Sequence, residues 1–222
     1  MHSSFIDFSD QISKETLAFF VFNQNKNFIL KNIGFSSDDI AVPDQTHSIN
    51  VKYIDKPGKY NDTDGLITDN PEIILILKVA DCVPIYLYES RSQIIGLIHS
   101  GWRGTLHGIV PNTIHKMIEL GAHLNNINIF LGPSICFNCY EVDEEVANNF
   151  QKISKRKIKN KKWKISLHQQ IRTILIDEGV EESKIRVSTI CTYESSTCHS
   201  YRRDGVKSGR MLALMGLKNE LS

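Results

Sequence analysis

Three runs within residues 72–99 are too apolar to lie at a surface: EIILILKVA (72–80), PIYLYE (84–89) and QIIGLIH (93–99). The first carries Ile, Leu or Val on both faces of an extended chain, which predicts a central strand covered on both sides. The other two predict further strands, with the Ser90–Arg91 region as their turn. No other feature constrains the fold as strongly.

Helical signals are interleaved with these strands. Between Thr105 and Leu120, the residues Ile109, Ile114, Met117 and Ile118 form an apolar stripe with Gly121 as its stop. Pro111 within that stripe should kink the helix or mark its true start. NINIFLGPSI (126–135) predicts a strand running into a Gly-Pro turn, and VDEEVANNFQ (142–151) a short helix with acidic residues in its first turn. Ser166 and Gln169 form a capping box, after which Leu167, Ile171, Ile174 and Leu175 give one apolar face ending near Gly179. IRVSTICTY (185–193) predicts another strand, and RMLALMGL (210–217) fits either strand or helix. The mixture predicts an α/β or α+β fold, and 222 residues suit one domain spanning residues 1–222.

Charge and cysteine use narrow the class. A formal net charge of +1 argues against a chain-wide polyanion-binding design. The basic run KISKRKIKNKKWK (152–164) therefore reads as a solvated face rather than a nucleic-acid contact. No apolar run reaches the roughly 20 residues that span a membrane. The opening MHSSFIDFSDQ lacks the pattern of a signal peptide, so a cytoplasmic location with reduced thiols is expected. Five cysteines, an odd number, then point to free thiols or ligands more than to a disulfide framework.

Three segments place a metal-ligating side chain at the edge of an apolar strand: DQTHS with His47, VADCVP with Cys82 and LIHSGW with His99. Imidazole and thiolate together suit zinc, and catalytic zinc usually keeps three protein ligands and one open position. Separations of 35 and 17 residues mean that these ligands must converge through the fold. Asp81, beside Cys82, is a candidate ligand or hydrogen-bond partner to one. Gly101 and Gly104 bracket a turn that lets backbone approach a bound group, and the helix start behind it favours an anion. Arg103 offers a bidentate grip on phosphate or carboxylate, and Trp102 a flat face for a ring.

In CTYESSTCHSYRRDG (191–205), Cys191, Cys198 and His199 could ligate metal, though a structural or incidental role suits them better. Arg202 and Arg203 form a cationic pair able to hold an anionic group; a surface ion pair of little energetic weight is the plainer reading. Cys136 and Cys139 in ICFNCY have CxxC spacing without a second CxxC, which reads as two core or near-surface thiols.

QTHS, ADCVP, HSGWRGT, GPSICFNCYEV and SYRRDG followed by SGR occur in that order between about Asp44 and Leu217. Together they closely resemble the bacterial laccase-domain family of the YfiH type, once described as polyphenol oxidases and related to human FAMIN. The resemblance implies one α/β/β/α-layered domain with zinc held by His47, Cys82 and His99. It implies a small-molecule substrate: purine nucleosides such as adenosine, inosine and methylthioadenosine, cleaved by phosphate, with adenosine deamination as a further activity. In that setting Arg103 and Asp81 would serve catalysis, while Trp102, Tyr201, Arg202 and Arg203 would hold base and phosphate.

Three alternatives stand beside this reading. Cys82 could act as a nucleophile with His99 as base, in an amide hydrolase that edits peptidoglycan precursors. Copper, which such ligands bind tightly in vitro, would make the chain a polyphenol oxidase, yet no His-rich set for a multicopper cluster is visible. A non-enzymatic module with structural zinc would need a fourth ligand, from Cys191, Cys198 or His199. The sequence also departs from the family near its start. TLAFFVFNQNKNFIL (16–30) lacks the Arg and the glycines of the usual T-R-x-G-G-x-S stretch, so another cation must replace that Arg or the substrate has shifted.

Overall fold

The computed structural model describes residues 4–22 and 26–218. The strands Ile74–Val79, Val83–Glu89 and Ile94–Ser100 form where the three apolar runs predict them, with residues 90–93 as the turn between the last two. They do not share one sheet. Ile74–Val79 lies in a six-stranded sheet ordered Phe5–Asp7, Thr16–Val21, Met211–Leu217, Ile74–Val79, Ile40–Pro43, Gly58–Tyr60. The other two lie at the centre of a second sheet ordered Ile185–Val187, Ile127–Leu131, Val83–Glu89, Ile94–Ser100, Gly65–Thr68, Val51–Tyr53.

Alternation along these strands sends successive side chains to opposite faces, and both faces are covered. Leu75, Leu77, Ala213 and Met215 of the first sheet meet Tyr86, Tyr88, Ile95, Leu97 and Phe130 of the second. On its far side the second sheet packs Ile85, Leu87 and Ile98 against the helices Ile109–Glu119 and Leu167–Asp177. The first sheet covers Phe19, Ile76 and Leu214 with Ile29 and Leu30 of the helix Lys26–Asn32. The order is helix, sheet, sheet, helix, which is the expected α/β/β/α layering.

Several local expectations are refined. The helix foreseen over 105–120 is two helices, Trp102–His107 and Ile109–Glu119, broken at Gly108 with φ 100°. Pro111 sits in the first turn of the second helix, where its missing N–H leaves no bond unmade, so it marks the true start rather than a kink. Gly121 (φ 98°) and Gly179 (φ 90°) close their helices as expected. Only half of the capping box forms: the Ser166 hydroxyl accepts the Gln169 N–H, while the Gln169 amide turns to Thr173.

The strand predicted over 185–193 stops at Val187. The Ser188 hydroxyl captures the Ile190 N–H and the Thr192 hydroxyl is drawn to Asp81, so polar side chains pull the chain away from the sheet edge. RMLALMGL resolves as a strand, Met211–Leu217. The basic run forms a hairpin of Lys155–Lys157 and Lys162–Ile165 in a small third sheet with Glu141–Asp143. There Lys162 pairs with Asp143 at 2.7 Å and Lys157 with Glu144 at 3.6 Å. Among the described residues no helix is long and apolar enough to cross a membrane.

Candidate metal centre and its cleft

His99 stands in the buried strand Ile94–Ser100, paired opposite Pro84. Cys82 occupies the tight connection between Val79 and Val83, directly after Asp81, whose φ is 79°. His47 has φ 60° in the loop after the strand Ile40–Pro43. Left-handed backbone at two non-glycine residues costs on the order of 1 kcal/mol each and persists only where the surroundings over-determine it. Here it turns side chains inward: the ligand-capable atoms of His47, Cys82 and His99 lie within 4.8 Å of one another. The two imidazole rings meet edge to face, with centroids 4.9 Å apart.

The constraint comes from Asp64, which the sequence reading did not single out. Its carboxylate is fully buried and accepts the backbone N–H groups of Thr46, His47 and Ser48 at 2.7–3.1 Å and the Ser48 hydroxyl at 2.8 Å. The same carboxylate holds Nδ1 of His99 at 2.8 Å, leaving Nε2 for the cluster. One carboxylate thus orients two of the three candidate ligands. The only signal for it in the sequence is the acidic turn DTDG (62–65), which resembles any surface turn.

Electrostatics reinforce the geometry. Burial pushes the Cys82 thiol up, but the His99 and His47 imidazoles outweigh it and bring it down to about 6. Burial opposes a charged His99, yet the Cys82 sulfur and the Asp64 carboxylate raise it to about 9. For Asp64 burial again opposes the charge, and the bonds from His99 and Ser48 hold the carboxyl at about 2. Without metal the pair is a thiolate beside an imidazolium, and a divalent cation would displace that proton. Two imidazoles and a thiolate are a zinc-type donor set with room for one more ligand. A side chain at Gly101 would fill this space: its Cβ would fall 2.8 Å from Cys82 Sγ and 3.3 Å from the His47 ring.

The cluster lies in the wall of a cleft of about 880 Å³ that also exposes Lys59, Lys78, Trp102, Arg103, Tyr140, Tyr201, Arg202 and Arg210. The Arg103 guanidinium lies 4.4 Å over the Trp102 ring, and that of Arg202 lies 5.2 Å over Tyr140 while donating to the Glu141 carbonyl. Tyr201 is 51% exposed at the rim. The helix behind the Gly-Trp-Arg-Gly turn is only six residues long, so these cations, rather than a helix end, supply the positive field.

Two expectations change, and the structural-zinc alternative finds no fourth ligand at the cleft. Asp81 is not among the clustered donors; its carboxylate accepts Thr192 Oγ1 at 2.7 Å, Ser200 Oγ at 3.0 Å and the Arg202 N–H at 2.7 Å. It therefore positions the Arg202 loop. Arg203 does not line the cleft: it clasps the carbonyls of Thr192, Tyr193, Ser195 and Cys198 and both oxygens of Asp204. Its five N–H donors are committed to that loop, which leaves none for an anion. Neither Cys198, buried against Phe20, Val79 and Met211, nor His199, stacked on Gly209, joins the cluster, and Cys191 lies elsewhere.

The comparisons agree with this architecture. A purine nucleoside phosphorylase of Deinococcus radiodurans is 33% identical over 195 residues, covering 87% of this chain and 76% of that protein. A protein from an unidentified prokaryote, named adenosine deaminase RL5, is 35% identical over 196 residues, covering 80% and 75%. The crystal structure of the Bacillus licheniformis hypothetical protein YfiH superposes with a TM-score of 0.87 at 27% identity, over 91% of this chain and 93% of that one. Residues 21–218 match the family model described as multi-copper polyphenol oxidoreductase laccase, and the chain belongs to that family.

Proposed function

We propose that this chain, acting as one catalytic domain, is a zinc-dependent purine nucleoside phosphorylase with adenosine as a substrate. The observation that carries the reading is the convergence of His47, Cys82 and His99 in the wall of a cleft lined by five cationic side chains. The names of the relatives supply the substrate class.

In phosphorolysis a phosphate oxygen bonds to the ribose C1′, the bond from C1′ to the purine nitrogen breaks, and the base leaves with a proton. The attacking group is an anion, and Lys59, Lys78, Arg103, Arg202 and Arg210 give its approach a positive field. Arg103 and Arg202 lie over Trp102 and Tyr140, so their planar forks are set before the phosphate arrives. This supply of cations answers the missing Arg of the 16–30 stretch, of which residues 23–25 lie outside the described residues. The ring of Tyr201, 51% exposed at the rim, stacks the base; Arg210 lies 5.9 Å over the same ring, farther than Arg103 lies over Trp102 at 4.4 Å. Bound zinc supplies Lewis acidity at the wall of the cleft. Asp64 keeps the His99 ring and the His47 backbone in register with Cys82 throughout.

Chromatography of the products from adenosine plus phosphate, with and without a chelator, tests this. The reading expects adenine and ribose 1-phosphate only when metal is retained; inosine in their place would make the chain a deaminase. Unchanged adenosine in both samples overturns the substrate.

A second reading rests on the lowered Cys82 thiol beside His99, which is also the geometry of a cysteine nucleophile and its base. It expects amide hydrolysis that survives chelation and stops on alkylation of Cys82. Copper oxidation of phenols has less support. Among the described residues only one candidate metal group contains imidazoles, and it offers three donors, too few for several coppers.

A further inference from the structure

The CxxC pair read as two independent thiols is part of a four-donor cluster. Cys136, Cys139, Cys191 and Glu194 bring one ligand atom each to within 4.8 Å of one another. We propose that these four residues form a second, structural zinc site, closed by protein ligands on all sides and separate in function from the cleft centre.

Cys136 and Cys139 are three residues apart, and so are Cys191 and Glu194; a 51-residue span separates the two pairs. Each pair occupies a tight turn, with Cys139 N–H and Tyr140 N–H donating to the Cys136 carbonyl at 3.1 and 3.0 Å, and Ser195 N–H to the Cys191 carbonyl at 3.0 Å. Two short-spaced pairs on facing turns are the arrangement of structural zinc sites, here with a carboxylate in the fourth place. Sequence reading misses it because the second pair ends in Glu rather than Cys.

The turns are pre-set against each other by backbone. Ser134 and Cys191 form a parallel bridge, the Thr192 N–H donates to the Ser134 carbonyl at 3.0 Å, and the Cys136 N–H points at Cys191 Sγ at 3.3 Å. Glu194 reaches over both thiols, its Oε1 3.2 Å from Cys139 Sγ and 3.7 Å from Cys136 Sγ. Among the described residues no lysine or arginine forms an ion pair with Glu194. Tetrahedral zinc with bonds near 2.3 Å needs sulfurs about 3.8 Å apart, which the cluster reaches by small side-chain rotations. Three sulfurs and one oxygen would each lose a proton or a neighbour's S–H and gain a shared cation in exchange.

The position explains its use. One turn leads directly into Tyr140 in the cleft wall; the other holds Thr192, whose hydroxyl bonds Asp81, and the carbonyls clasped by Arg203. An ion between the turns fastens the Tyr140 side of the cleft to the loop that presents Arg202.

The test is a metal titration of the whole chain carrying His47→Ala and His99→Ala, which lacks two of the three cleft donors. After stripping and reduction it should bind one equivalent of Co²⁺ with the strong charge-transfer absorption of several thiolates. Adding Cys136→Ser should weaken that binding about a hundredfold or more. Wild-type protein purified under reductant should carry two equivalents of zinc, a measurement that needs no variant to fold. A wild-type equivalent of zinc that is lost in the His47→Ala, His99→Ala variant with none left to Cys136, Co²⁺ binding unaffected by Cys136→Ser, or a Cys136–Cys139 disulfide in protein purified under reductant overturns the proposal. Because the readout is metal content, its failure would leave the reading of the cleft untouched.

Discussion

The two clusters of soft ligands in this chain differ in how they are built. In the cleft, His99 comes from a buried strand while Cys82 and His47 come from left-handed turns, and the buried carboxylate of Asp64 holds the histidines. The group has three donors and faces an open cleft. In the second cluster four donors sit on two facing turns, cross-linked by backbone bonds, with no position left over. A site meant for chemistry needs rigid support and a vacancy, whereas a fastener needs a full set of ligands and can be assembled from loops.

This contrast can be broken at several points. The largest effect should come from His99→Ala, which removes a ligand and leaves the Asp64 carboxylate buried without its partner. Turnover of adenosine should fall about a thousandfold or more, because a lost Lewis acid removes several kcal/mol of stabilisation. The metal content should drop by one equivalent, not two. Asp64→Asn tests the support rather than the ligand: cleft metal affinity, followed by competition with a chromophoric chelator, should fall about 10–100-fold.

Cys136→Ser should act on the other side of the comparison. With the second metal lost, the melting temperature should fall by about 5–10 °C while the cleft retains its metal, since a ligand bound far above its Kd contributes a few kcal/mol. A drop in turnover without a drop in melting temperature would contradict the division of labour. The smallest effect is on acid stability of the metal-free protein. Asp64 has its carboxyl lowered from 3.8 to about 2 in the fold, so its contribution is present above about pH 3.8 and is lost as the pH falls through about 2. Acid melts of metal-free wild type should steepen in that window, and those of Asp64→Asn should not.

Sequence pattern and structure agree where one periodicity governs a segment. The runs at 72–80, 84–89 and 93–99 read as buried strands and are, and His47, Cys82 and His99, candidate ligands at strand edges, converge. Asp64 was invisible because its importance lies in five backbone and side-chain donors from residues 46–48 and one ring from residue 99, none of which is local to it. Arg202 and Arg203 are adjacent and chemically identical, yet one lines the cleft and the other clasps a loop. Asp81, by fixing the Arg202 backbone, decides which does which. The strand expected through Cys191 failed for the same kind of reason, since Thr192 answers to a carboxylate 111 residues away.

The most direct test is a stepwise removal of metal from the wild-type protein with increasing chelator, following zinc content, adenosine phosphorolysis and melting temperature on the same samples. The three-donor cleft site should empty first, so turnover should vanish with the first equivalent while most of the melting temperature is kept until the second leaves. Turnover that survives loss of the first equivalent, or turnover and melting temperature that fall together with a single equivalent, would contradict the account.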